Sequence, residues 1–215
     1  MDFLKLAKKR RSVRDFSSRA VKDVDINNII DAARWAPSAN NRQNWRFIVV
    51  RDKNAKKKVA QSCYGQGSMA NAGVLIVACS MPGIIKRQFP KNGEKMAVQG
   101  ASAAIQNILL AATEKGIASC WCGVSAHKGL HALLNIPGDV SIEAVIALGY
   151  PGRRISPTQR LDVHDIMFYN EWGALEVDYT KNKIGEHTKP LLERKTVKDF
   201  RNSAKKLRSK LQVKK

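Results

Sequence analysis

Residues 96–115 limit what this chain can fold into more than any other stretch. Ala101, Ala104, Ile105, Ile108, Leu109 and Ala112 recur at steps of three and four, which predicts a helix with a continuous apolar stripe. Ala103, Leu110 and Ala111 widen that stripe until the helix is apolar nearly all round. Such a helix has little face to offer water, so it must be buried, or half-buried against a second subunit. Gly116 supplies its C-terminal stop.

The layers around it are readable in outline. Residues 74–79, VLIVAC, are apolar on both faces and predict a central strand. Residues 46–50, 117–122 and 142–148 predict three more strands. Short helices are expected over 4–9, 54–62 and 126–134. Ile26, Ile29, Ile30 and Ala33 share one face of another helix, capped by Asp23 or Asp25 and ended by Pro37. Residues 81–94, with Pro82, Gly83, Pro90 and Gly93, read as a loop excursion. Pro151, Gly152 and Pro157 then suit a surface arm. Few strands among many helices, in irregular alternation, mean a sheet flanked by helices and not a regular βαβ series.

A chain of 215 residues buries one substantial core, and its 44% hydrophobic and 26% charged residues are those of a globular protein. No apolar run is long enough to span a bilayer, and the first residues lack the apolar stretch and cleavage site of a signal peptide. A cytoplasmic location without membrane attachment is therefore expected. Cys63, Cys79, Cys120 and Cys122 suggest no disulfide framework, and no second Cys/His pair completes a zinc site, so free thiols are expected. His127 and His131, four apart, lack a third ligand and read as surface or packing residues, and no metal is expected.

The net charge of +20 is attractive to nucleic acid, anionic membrane or an acidic protein. Its distribution narrows that choice. Residues 181–215 hold thirteen Lys/Arg against Glu186, Glu193 and Asp199, half of the whole excess. Leu192, Thr196, Phe200, Ala204, Leu207 and Leu211 put one apolar stripe on this basic segment, which predicts a helix. Lys and Arg are not interleaved with a stacking aromatic platform, which weakens a nucleic-acid-binding reading without removing it.

Three motifs carry chemistry. In the first, Arg10-Arg11-Ser12-Val13-Arg14, an extended backbone points Arg10, Ser12 and Arg14 the same way, toward one phosphate or simply into solvent. The second is the loop PSANNRQNW over residues 37–45, rich in amide donors and acceptors, suited to the edge of a planar heterocycle or to an ordinary polar turn. In the third, residues 116–123, a strand ends at Gly123, where backbone N–H groups can approach a flat ring closely, or where a core strand merely turns. Gly65-Gln66-Gly67-Ser68-Met69-Ala70 imitates a dinucleotide fingerprint but follows a charged helix, not a strand.

Taken in order, RRSVRDF, AARWAPSANNRQNWRFIVV, AAIQNILLAATEKGI with SCWCG, and IALGYP followed by Arg160 resemble the nitroreductase family of FMN enzymes, over roughly residues 3–172. The resemblance implies an α+β fold with a central, mainly antiparallel sheet flanked by helices. It also implies an intertwined homodimer with FMN at the subunit interface, and divides the chain into an FMN-binding domain, 1–180, and a basic extension, 181–215. Carried over by position, Arg10, Arg11, Ser12, Arg14 and Arg160 would hold the FMN phosphate and ribityl chain. Pro37, Ser38, Asn41 and Gln43 would reach the flavin from the other subunit, and the backbone at Cys122 and Gly123 would face its ring. One departure is Asn44, where the family usually has proline before the tryptophan.

The implied reaction takes hydride from NADH or NADPH through flavin N5 to a small organic acceptor such as a nitroaromatic or quinone, by ping-pong kinetics with no catalytic side-chain base. A specialised flavin reaction, reductive dehalogenation or dehydrogenation, uses the same scaffold. The basic extension is expected either to dock an acidic redox protein such as a ferredoxin or flavodoxin, or to pack across the dimer.

Overall fold

The computed structural model describes residues 2–64, 66–153, 155–170 and 172–174. They fall into two compact units, parted between Pro157 and Thr158. The basic segment 181–215 and its expected helix lie outside the described residues, as does the 180/181 boundary.

The first unit is built on four strands, β1 (Trp45–Val50), β2 (Val74–Ser80), β3 (Ala118–Cys122) and β4 (Ser141–Gly149). They form one sheet in the order β1-β2-β4-β3 with every neighbour antiparallel, so β1 and β3 are its two edges. β2 is buried at every position, as a strand with apolar residues on both faces must be. Its alternation sorts the core into two layers. Val74, Ile76 and Ala78 pack with Ile26 and Ile29 of α2 (Asp23–Ala33) and with Ala101, Ala104, Ile105 and Ile108 of α5 (Gly93–Glu114). Leu75, Val77 and Cys79 pack with Val59 of α3 (Lys53–Gln61) and Leu130 of α6 (His127–Leu134). Where Cys79 pairs with Ile142 directly after Ala78 pairs with Ala144, the register skips Glu143. That bulge turns Ile142 into the second layer, and Glu143 Oε1 accepts from Ser80 Oγ at 2.5 Å.

α5, with 22 residues, is about 33 Å long. Its buried stripe is the one the spacing predicts, while Ala103, Leu110 and Ala111 stay only partly covered within one chain and Val98 is exposed. Gly116, at φ 72°, ends it in the left-handed region.

Two local expectations are corrected. Residues 81–94 are not a plain loop. Pro82 opens a short helix, α4 (Pro82–Lys86), at the position where proline is tolerated because its missing N–H has no helical partner anyway. Gly93, also read as a breaker, begins α5 and lies so close to α4 that a Cβ there would stand 2.7 Å from the Lys86 backbone. α2 begins at Asp23 itself, with Lys22 at the cap and no side-chain cap bond, so Asp23 and Asp25 sit in the first turn, where they oppose the helix dipole favourably.

In the second unit Asp162 and Asp165 close a capping box around the turn Val163–Asp165, and the Phe168 and Trp172 rings lie 5.1 Å apart. Among the described residues no helix is long and apolar enough to cross a membrane.

Candidate functional site

The expected binding residues of the first unit gather at two places, next to the two edges of the sheet. At β3, α1 (Phe3–Lys9) gives way at Arg10 to extended backbone. Ser12 bridges Ser119 in parallel, and Val13 N–H donates to the Ser119 carbonyl at 2.9 Å. Phe16 bridges Pro151, and Ser17 N–H donates to Tyr150 at 2.8 Å. Val13 and Phe16 thus anchor the segment while Ser12 and Arg14 are exposed and Arg10 and Arg11 are half-buried. Arg11 does not join an outward row. Its guanidinium folds back to the carbonyls of Lys8 and of Arg10, the latter at 2.7 Å.

Polar capacity is left over here. Arg11 Nε and Ser119 Oγ are buried without a partner. Among the described residues no carboxylate pairs with Arg10, Arg11 or Arg14. The strand beneath feels the excess charge. Cys120 and Cys122 both point into the α3/α6 layer, and a hydrogen bond from Cys122 holds the Cys120 thiol down at about 7. Burial opposes that shift, and Arg14 and Arg10 reinforce it. The Cys122 thiol is pushed up by the same hydrogen bond and by burial. All four cysteines are buried and free.

The second place is the loop leading into β1. Asn40, Asn41 and Gln43 adopt φ of 47°, 55° and 39°, a left-handed conformation that asparagine tolerates and glutamine rarely enters. Ser38 Oγ accepts from Gln43 N–H at 3.0 Å and closes the loop, while Gln43 Nε2 donates to the Asn41 carbonyl at 2.5 Å. Pro37 and Asn41 are exposed, and Ser38 and Gln43 are half-buried. Asn44, fully buried, ties the loop down: its Nδ2 donates to Ala97 of α5 at 3.2 Å and its carbonyl accepts from Met81 N–H at 2.8 Å. Gly100 lets α5 come this close, since a Cβ there would be 3.2 Å from Asn44 Oδ1. Beside the loop opens a cavity of about 500 Å³ lined by Asn41, Gln43, Trp45, Arg46, Phe47, Ile30, Arg34 and Trp35. Trp35 is 80% exposed.

Gly123 is exposed at the end of β3, and the ring of Tyr64 lies against it: a Cβ on Gly123 would be 3.3 Å from Tyr64 Cε2. Nothing in the residue pattern singled out Tyr64. The neighbouring Gly65-Gln66-Gly67 run was its only marker, and the described part of it leads through a 3-10 turn (Gly67–Asn71) into β2, in the reverse of a dinucleotide-binding order. Arg160 is exposed in the second unit. His131 Nδ1 lies 3.1 Å from the Ile136 carbonyl, a packing role, and His127 is exposed. Among the described residues no group of His, Cys, Asp and Glu is placed to hold a metal ion.

The β3 cluster has the chemistry of a dianion cradle: unpaired guanidinium groups, an exposed hydroxyl and two buried polar atoms still lacking partners. The phosphate of a flavin mononucleotide fits that donor set. The exposed glycine and amide-rich loop suit a flat, hydrogen-bonding ring.

An antiparallel sheet between helical layers defines an α+β architecture. The sequence model of the nitroreductase family matches residues 7–68 and 62–150. The chain is 44% identical over 153 residues to a protein of Archaeoglobus fulgidus provisionally named NADH dehydrogenase/NAD(P)H nitroreductase, spanning 69% of this chain and 84% of that one. It is 28% identical over 197 residues to the NADH dehydrogenase of Thermus thermophilus, with 79% and 96% covered. The solved structure of an FMN-dependent nitroreductase from Clostridium difficile superposes with a TM-score of 0.68 at 29% identity, covering 79% of this chain and all of that one. The chain belongs to the nitroreductase family.

Proposed function

We propose that the chain is an FMN-dependent oxidoreductase that passes reducing equivalents from NADH or NADPH to a small organic acceptor, a nitroaromatic or quinone, in alternating half-reactions at one site. The observation that carries this reading is the cradle of Arg10, Arg11, Ser12 and Arg14 beside β3, whose arginines have no carboxylate partner among the described residues, near the exposed Gly123. In it those residues hold the phosphate and ribityl chain. The backbone at Cys122 and Gly123 lies under the ring. When bound, FMN supplies the two-electron chemistry at N5, and the protein orients the partners and sets the local charge.

Pro37, Ser38, Asn41 and Gln43 take part from a second copy. β1 and β3 are opposite edges, three strand spacings or about 14 Å apart. β2 and β4 stand between them, and that separation favours delivery of Gln43 to a ring against Gly123 by another copy. The half-covered far side of α5 and the bare Trp35 supply apolar surface for an intertwined homodimer.

This reading assigns residues 1–180 to the FMN domain. The basic segment 181–215 then serves to dock an acidic redox protein, its charge being its most distinctive property. Removing residues 182–215 should slow electron delivery from ferredoxin or flavodoxin and leave nicotinamide-driven turnover intact.

The first test is the absorption spectrum of the purified protein. Bands near about 370 and about 450 nm, with FMN identified after acid release, support the cofactor. A colourless protein that takes up no added FMN removes the enzyme reading and brings nucleic-acid binding forward, to be judged by the salt dependence of DNA or RNA affinity. Bound FMN without turnover of any nitro compound or quinone points instead to a dehalogenase or dehydrogenase.

A further inference from the structure

The geometry points to Tyr64 as the residue that contacts a planar acceptor over Gly123, with Ser125 as the residue that positions it; this rests on the FMN reading above. Tyr64 has φ 49°, a conformation uncommon for a bulky side chain, and the residue is 70% exposed. Neither feature is a gain for folding, yet four hydrogen bonds impose them. Tyr64 N–H donates to Ser125 Oγ at 3.0 Å, and Ser125 Oγ donates to the Ser62 carbonyl at 3.1 Å. The same carbonyl accepts from Ser125 N–H at 2.9 Å and from Ala126 N–H at 3.3 Å. The clip joins the end of α3 to the loop that follows β3, across 61 to 64 positions of sequence.

Its effect is to hold a phenol ring beside Gly123, with Cε2 and Cδ2 3.3 and 3.8 Å from where a Cβ would be. Glycine leaves room for that ring. A strained backbone held by its surroundings, presenting an aromatic side chain to solvent, is the pattern expected where a ligand is to be met. The ring's free surface offers stacking to a flat aromatic acceptor, worth roughly 3- to 10-fold in affinity. It offers nothing comparable to a small inorganic oxidant such as ferricyanide.

The test uses the FMN-loaded protein and the variants Tyr64→Ala, Tyr64→Phe, Ser125→Ala and Ser125→Thr. Tyr64→Ala should raise the KM for a quinone or nitroaromatic roughly 3- to 10-fold. The Kd of benzoate, a flat ligand that is not reduced, should rise equally when read from the perturbed flavin absorbance. The rate with ferricyanide and the Kd for FMN should stay within about twofold of the parent. Tyr64→Phe keeps the ring and should keep both aromatic constants. Ser125→Ala should shift them in the same direction, and Ser125→Thr should restore them. FMN uptake with aromatic constants unaltered by Tyr64→Ala, or a ferricyanide rate that falls alongside them, overturns the inference alone. A parent chain that takes up no FMN overturns the functional reading and this inference together.

Discussion

Around Ser12 single side chains stand out of charge balance. Arg14 has no carboxylate partner among the described residues, so a bound phosphate meets a guanidinium that gives up nothing to receive it. Arg14→Ala should weaken FMN binding by about 10-fold or more, the equivalent of one charge-assisted hydrogen bond of about 1.5–3 kcal/mol, read by quenching of flavin fluorescence. Cys120 lies in the same field, with the hydrogen bond from Cys122 as the larger cause of its shift. Its thiol, held at about 7 instead of the usual 9.0, favours the folded state as thiolate. That contribution is complete above pH 9.0 and is lost as pH falls through about 7. Ultraviolet titration of thiolate should show a midpoint near 7 that moves upward in Cys122→Ala, which removes the donor. FMN should also move it upward, because its phosphate offsets Arg14 and Arg10; a midpoint indifferent to FMN would place the phosphate elsewhere. The arginines and the amide loop were legible in the residue pattern because their chemistry is local. Arg11 was only half legible: its fold back onto Lys8 follows from where α1 ends. Ser119 and Tyr64 were not legible, since both matter through partners more than 60 positions away.

Strands and the central helix were the readable elements, because β2 and α5 carry their periods undiluted by function. The corner between α4 and α5 was not. Pro82 and Gly93 break structure by rule, yet here proline starts a helix and glycine lets two helices meet. Their meaning depends on a neighbour that local pattern does not reveal. Gly93→Ala should therefore destabilise the protein, despite alanine's better helix propensity, because its Cβ would collide with the Lys86 backbone 2.7 Å away. The expected cost is about 1–3 kcal/mol, seen as a lower urea midpoint with an unchanged slope. A gain in stability would mean that α4 slides freely along α5.

For the whole molecule, the placement of the two binding clusters predicts complementation. In the homodimer proposed above, a chain carrying Arg14→Ala and a chain carrying Asn41→Ala with Gln43→Ala each spoil both of their own sites. Refolded together, the mixed pairs combine both defects in one site and leave the other with an intact cradle and an intact loop. Recovered FMN should approach about one per mixed pair, counted by flavin absorbance against protein. No recovery would mean that each chain binds its flavin alone. The sequence pattern hinted at a second copy through α5, whose apolar circumference stays partly uncovered.

In the homodimer proposed above, the separation of cradle and loop onto opposite edges also couples two equilibria. If each flavin is gripped by two chains, association and cofactor uptake draw on the same free energy, and each titrates the other. Diluting the protein should then release FMN without any change in the chain, so that activity per chain fades in a way that resembles inactivation. Extra FMN should restore it, and the apparent flavin affinity should sharpen as the chain is concentrated.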